Sequence, residues 1–169
     1  GVTVQTHFVQ AGGANINPRI CVQDDVGETE RMGRALAELI SRAVPQLEPL
    51  EAGAVRHHRQ AWSITRTRDQ GKGRGKAGSV IDTEIQTLRA GGLTILGIPG
   101  ELFSEFNAPY RELAGDGCTI IASMANDYIG YLPTDQAQVE GAYETRMAPA
   151  DPLEEDMTEH VKKALAGVA

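Results

Sequence analysis

Basic residues, cysteines and long apolar runs are all scarce in this chain. It has 16 Lys and Arg against 23 Asp and Glu, a formal net charge of −7. That balance speaks against general affinity for nucleic acid or for an anionic membrane surface, and its plainest reading is solubility. Only two cysteines occur, Cys21 and Cys118, with no Cys-x-x-Cys and therefore no disulfide framework. Cys118 opens an apolar run and reads as a buried free thiol. No apolar stretch approaches the ~20 residues of a membrane-spanning helix. Nor does a basic segment followed by an apolar one open the chain, so no signal peptide is visible. An initiating Met is also missing and the sequence opens in mid-strand. The chain therefore reads as a processed product or as part of something longer, and its compartment stays open.

What is present suits an ordinary folded protein: 169 residues, 41% hydrophobic and 23% charged, enough for one domain with a core, spanning residues 1–169. Residues 2–9 predict a strand, and residues 11–18 a turn rich in Gly and Asn. Residues 29–44 form the clearest helix, with Met32, Ala35, Leu36, Leu39, Ile40 and Ala43 at helical spacing and Pro45 as its stop. Residues 55–67 read as extended, Trp62 and Ile64 alternating with polar neighbours. Residues 81–88 and 93–98 flank Ala90, Gly91 and Gly92, a hairpin signal. Leu102, Phe103, Phe106, Tyr110 and Leu113 fall on one side of a helix over 102–113, despite Pro109. A strand over 119–124 follows. Asp151 and Pro152, as N-cap and first helical residue, open a last helix through Ala166 whose apolar positions are Leu153, Met157, Val161 and Leu165. Strands alternating with helices predict an α/β fold, a layered mixed β-sheet with flanking helices. No internal repeat is evident.

Open α/β sheets place their chemistry just beyond the carboxyl ends of their strands. Two apolar strands here run into polar groups. The 93–98 strand ends in Pro99, Gly100 and Glu101, and the 119–124 strand runs into Asn126, Asp127 and Tyr128, then Gly130, Tyr131, Leu132 and Pro133. On spacing alone Glu101 is an acid near a helix N-terminus, favourable by roughly 0.3–1 kcal/mol. Asp127, Tyr128 and Tyr131 are on the same footing a polar turn with aromatic lids.

Other motifs carry less. The Gly, Lys and Arg run at 71–76 departs from a phosphate-binding loop, with Gln70 in place of the first Gly and Ala77 in place of the metal-binding hydroxyl. It reads as a surface loop rather than a nucleotide site. His57 and His58 are neighbours in an extended segment and face opposite ways. His160 stands alone on the last helix and reads as solvated, and His7 sits in the first strand. No His pair has metal-ligand spacing.

Taken together and in order, three segments do more: Gly-Ile-Pro-Gly-Glu-Leu-Phe at 97–103, Ala-Asn-Asp-Tyr-Ile-Gly-Tyr-Leu-Pro-Thr at 125–134, and Val-Glu-Gly-Ala-Tyr-Glu-Thr at 139–145. They resemble the second half of the catalytic domain of the neutral/alkaline non-lysosomal ceramidase family. Residues 8–19, with Gly12, Gly13, Asn15, Asn17 and Pro18, are similar to that family's glycine-rich nucleophile turn. The resemblance runs from about Phe8 to about Pro149.

The family comprises zinc-dependent amidases that cleave the N-acyl bond of ceramide. The resemblance implies that Glu101 and Tyr131 ligate Zn2+, that Tyr143 assists at the scissile amide, and that Asn15 and Asn17 line the site. The family's two histidine ligands lie upstream of the nucleophile turn and have no counterpart in this chain. It is thus expected to be the C-terminal half of a longer catalytic domain. Asn17 stands at the serine position, and an amide cannot act as that nucleophile, although it can donate a hydrogen bond. The implied activity is hydrolysis of an N-acyl amide, of a sphingolipid or otherwise, or of a related ester. The alternative is a binding or scaffolding domain that keeps the fold without the chemistry. No nucleic-acid partner is expected.

Overall fold

Trp62 and Ile64 alternate with polar neighbours along Val55–Thr65 (β1), and Ile85 and Thr87 do the same along Val80–Ala90 (β2), the period of two that buries one face of a strand. The two strands pair antiparallel over their full length, Val55 opposite Ala90 and Thr65 opposite Val80. Gly91 takes a φ of 57°, which a side chain would resist, and turns the chain into Leu93–Ile98 (β3), antiparallel to β2. This is the hairpin that the Ala-Gly-Gly signal predicts. Cys118–Ser123 (β5) pairs parallel to β3, completing a mixed sheet in the order β1-β2-β3-β5. A parallel pair needs a crossover. The helix Asn107–Ala114 (α2) provides it and packs on β5.

The computed structural model describes residues 5–21, 25–69, 75–115 and 117–169. It divides into two compact units, Gly1–Asn15 with Glu51–Ala169, and Ile16–Leu50. In the larger unit the C-terminal helix Glu154–Ala166 (α5) packs on β1 and β2. Met157, Val161 and Ala164 from α5 close over Trp62, Ile64, Ile85, Leu96, Ile98 and Ile121. Trp62 satisfies its indole N–H on the Asp156 carboxylate at 2.7 Å, so the largest core side chain is buried without an orphan donor. Phe106 and Tyr110 stack in the same core at 5.3 Å.

In the smaller unit, Val26–Ala43 (α1) is capped by Asp25, whose carboxylate accepts from the Gly27 N–H at 2.8 Å. The helix therefore starts three residues before the predicted 29. Glu28–Arg31, Glu30–Arg34 and Glu38–Arg42 pair along its surface. Its apolar positions Leu36, Leu39 and Ile40 are exposed. Among the described residues no helix is long and apolar enough to cross a membrane.

Several expectations are corrected. Of the predicted strand 2–9, residues 1–4 lie outside the described residues, and residues 5–9 are irregular and exposed. Alternation alone does not make them a strand, since no strand ladder includes them among the described residues. The helix predicted over 102–113 begins later. Glu101–Leu102 form a short strand (β4), Ser104–Phe106 a 3-10 turn, and α2 starts at Asn107. Pro109 is tolerated there because the first turn of a helix has no partner for its N–H groups. The last helix starts at Glu154 rather than at an Asp151 cap. The Asp151 carboxylate is taken instead by Arg68, at 2.9 Å. Cys118 is exposed, because it heads an edge strand. Of the Gly, Lys and Arg loop, residues 70–74 lie outside the described residues.

Beyond the carboxyl ends of β3 and β5 the two chain segments lock together. Tyr131–Leu132 (β6) pairs parallel with β4 in a separate two-stranded ribbon. The Glu101 N–H donates to Gly130 O at 2.8 Å, Ile129 N–H to Pro99 O at 2.9 Å, Met124 N–H to Gly100 O at 3.0 Å and Phe103 N–H to Leu132 O at 3.1 Å. Gly100 permits this approach, since a Cβ there would lie 2.6 Å from Gly130 O. The glycine-rich segment joins the same junction, with Gly13 and Ala14 both donating to Leu102 O at 2.9 and 3.0 Å.

Gly100→Ala is expected to destabilise the larger unit by about 2–3 kcal/mol, the range of core overpacking, as read from denaturant midpoints. Gly33→Ala is the contrasting control. Its Cβ would meet nothing within 4 Å in an exposed helix interior, so a gain of about 0.5–1 kcal/mol is expected there.

Candidate active site

The pairing of β4 with β6 makes Glu101 the direct register partner of Tyr131. Partners across a strand pair present their side chains on the same face. Two residues thirty positions apart in the chain thereby share one small site at the end of the sheet. Tyr128, in the loop that leads into β6, donates its phenol hydrogen to Glu101 Oε1 at 2.5 Å. Tyr143 opens a one-turn helix, Tyr143–Arg146 (α4), and its ring stands edge-on to Tyr131 with centroids 5.9 Å apart at 81°. The turn is set by Thr145, whose hydroxyl accepts from the Ala142 N–H at 2.8 Å.

The electrostatics follow from one carboxylate among phenols. Partial burial pushes the Tyr131 phenol up to about 12, helped by its hydrogen bond to the Glu101 carboxylate and by that carboxylate's charge, with Tyr128 and Tyr143 adding to the effect. The Tyr131 phenol is therefore neutral throughout the physiological range. Tyr128 is 52% exposed and Tyr143 55%, so the cluster is open to solvent and to a ligand.

The other candidates make different contacts. Asn15 spends its amide on the 3-10 turn after β4. Its Oδ1 accepts from the Ser104 N–H at 2.9 Å, and its Nδ2 donates to both Glu105 carboxylate oxygens at 2.9 and 2.8 Å. Asn17 belongs to the smaller unit, Ile16–Leu50, and is exposed. Asp127 is anchored to the sheet by Thr83, whose hydroxyl donates to it at 2.8 Å. Spacing alone passes over Tyr128, which sequence reading leaves in a polar turn. Its signal was the Asn-Asp-Tyr segment directly after an apolar strand.

The histidines do not complete a metal site. His57 lies 3.4 Å from Gln86 Oε1, and His58 packs against Gly167. His160, read as solvated, is half-buried. Its Nδ1 sits 2.8 Å from Asp156 O, one turn back, and its ring lies 5.9 Å from that of Trp62. No group of three or more His, Cys, Asp or Glu able to hold a metal occurs among the described residues. What Glu101 and Tyr131 do provide is a carboxylate and a phenol set opposite each other as register partners. Zinc accepts oxygen ligands, and a catalytic zinc takes at least three protein ligands. The pair could provide two oxygen ligands to such a set.

No protein-family model and no curated protein matches this chain. Solved structures do match, two of them ceramidases. One, titled "Ceramidase complexed with C2", is 19% identical with a TM-score of 0.45, covering 59% of this chain and 16% of that one. The other, neutral ceramidase from Pseudomonas aeruginosa, is 20% identical with a TM-score of 0.43, covering 58% of this chain and 16% of that one. The chain thus spans about a sixth of the length of these structures.

Glu101 raises the Tyr131 phenol, so Glu101→Gln should lower its ionisation from about 12 toward the ordinary 10. The sign for stability follows. A raised folded-state value means that the fold favours the protonated phenol. Its contribution is complete below pH 10 and is lost as pH rises through about 12. Tyrosinate absorbance in an alkaline titration, with Tyr131→Phe identifying the late phase, checks both statements.

Proposed function

We propose that the chain carries part of the active site of a metal-dependent hydrolase that acts on an N-acyl amide or a related ester, with Glu101 and Tyr131 as the oxygen ligands of a zinc ion. The observation that carries this reading is the β4–β6 register, which sets a carboxylate and a phenol side by side just beyond the carboxyl ends of β3 and β5. The order of the Pro-Gly-Glu, Asn-x-Tyr-x-x-Tyr and Tyr-Glu segments, which resembles ceramidases, supports it independently. A catalytic zinc supplies a bound water with a pKa near ~7 and polarises a carbonyl.

The chain's own residues do the rest. Glu101 and Tyr131 hold their oxygens together from two adjacent strands, so no loop rearrangement is needed to align them. Tyr143, edge-on to Tyr131 and open to solvent, is placed to donate its phenol hydrogen to the oxyanion that develops on the scissile carbonyl. Asn15 has its amide committed to the 104–106 turn and serves the shape of the site rather than its chemistry. Asn17, an amide at the serine position of the resemblance, makes ceramide itself a poorer candidate than another N-acyl amide.

The natural protein should contain zinc, and Glu101→Ala should lose it and lower chelator-sensitive amide turnover by more than about 100-fold, beyond the cost of an outer-shell change. Tyr143→Phe should keep the zinc and lower turnover by about 100- to 1000-fold. Metal analysis and a panel of N-acyl amides provide the measurements. Equal zinc in Glu101→Ala removes the ligand assignment. Binding of the amides without turnover supports the other reading, a binding domain, which the absence of a three-ligand cluster among the described residues favours.

A further inference from the structure

Glu101 is a flexible side chain on a two-residue strand, and a ligand oxygen is useful only if it is held in place. Tyr128 makes the shortest polar contact to it, 2.5 Å from phenol to Oε1. Tyr128 is itself held from the sheet outward. Its N–H donates to Asp127 Oδ1 at 2.7 Å, and Asp127 Oδ2 accepts from Thr83 of β2 at 2.8 Å. The next residue, Ile129, donates its N–H to Pro99 O at 2.9 Å, two positions before Glu101. The loop that carries Tyr128 also contains two non-glycine residues in the left-handed region, Met124 at φ 55° and Asn126 at φ 71°. Strained backbone of this kind persists where the surroundings over-determine it, and it concentrates at functional sites.

We propose that Tyr128 is a positioning residue of this site: its phenol, braced through Asp127 to Thr83, holds the Glu101 carboxylate in the orientation in which it meets Tyr131 and a divalent cation. For the cation this rests on the ligand reading given under Proposed function; the contact between Tyr128 and Glu101 does not depend on it. A carboxylate anchored at Oε1 has already lost the freedom that a metal would otherwise have to remove. The partners that orient ligands in this way contribute 10- to 100-fold in metal affinity. Tyr128 is half exposed and outside the apolar core, so its hydroxyl can be removed without emptying a buried space.

The test compares the natural protein with Tyr128→Phe and Glu101→Gln by two readouts. In the metal-free protein, carbon-13 relaxation at the Glu101 side chain is expected to show an ordered group that becomes mobile in Tyr128→Phe; equal order in both overturns the positioning role. In calorimetric titration of the natural protein with zinc chloride, Tyr128→Phe is expected to bind about 10- to 100-fold more weakly than the unmutated protein while keeping its circular-dichroism spectrum. Zinc affinity within two-fold of the unmutated chain likewise overturns it. If the natural protein takes up no zinc, the ligand assignment of Glu101 and Tyr131 falls, and the relaxation measurement alone decides whether Tyr128 positions Glu101.

Discussion

The backbone crossing at Gly100 and Gly130 is the constraint on which the candidate site depends. Gly130 O accepts the Glu101 N–H at 2.8 Å, and there is no room between Gly100 and that oxygen for even one methyl carbon. Because the two segments approach so closely, the chain can form a parallel ribbon immediately after two parallel strands of the main sheet. The ribbon then dictates that residue 101 faces residue 131. Glu101, Tyr128 and Tyr131 meet as a consequence of this backbone arrangement. A one-residue slip in the β4–β6 register would send one of the two partners to the other face.

The chemistry of the cluster follows from having one carboxylate among three phenols. The Tyr128 phenol donates to the carboxylate, and the Tyr131 phenol beside it is harder to ionise than a free one. A cation would invert that logic, since positive charge favours the ionised phenol. The Thr83–Asp127–Tyr128 connection ties the cluster to β2, whose Ile85 belongs to the buried core.

Local patterns were legible and distant partnerships were not. Trp62 and Ile64 announced β1, and Ala90-Gly91-Gly92 announced the hairpin to β3, because period and turn chemistry lie within a few residues of one another. Asp151 looked like a helix cap until Arg68, 83 residues earlier, took its carboxylate. His160 looked solvated because nothing in its own helix reveals that Trp62 lies alongside. Cys118 read as buried from its apolar neighbours, yet its place at the head of an edge strand exposes it.

By itself the sequence determined the strand-rich α/β pattern, the apolar face of the last helix and the polar character of the segments after β3 and β5. These are written in side-chain periodicity and in glycines and prolines, whose effects act over a single turn. Only the tertiary structure decided that β3 and β5 run parallel, that Glu101 faces Tyr131, and that Tyr128 rather than Asn15 reaches the carboxylate. Such contacts arise from the pairing register between segments about thirty residues apart. Register is set by backbone hydrogen bonds and the space left at Gly100, neither of which any local run of residues encodes.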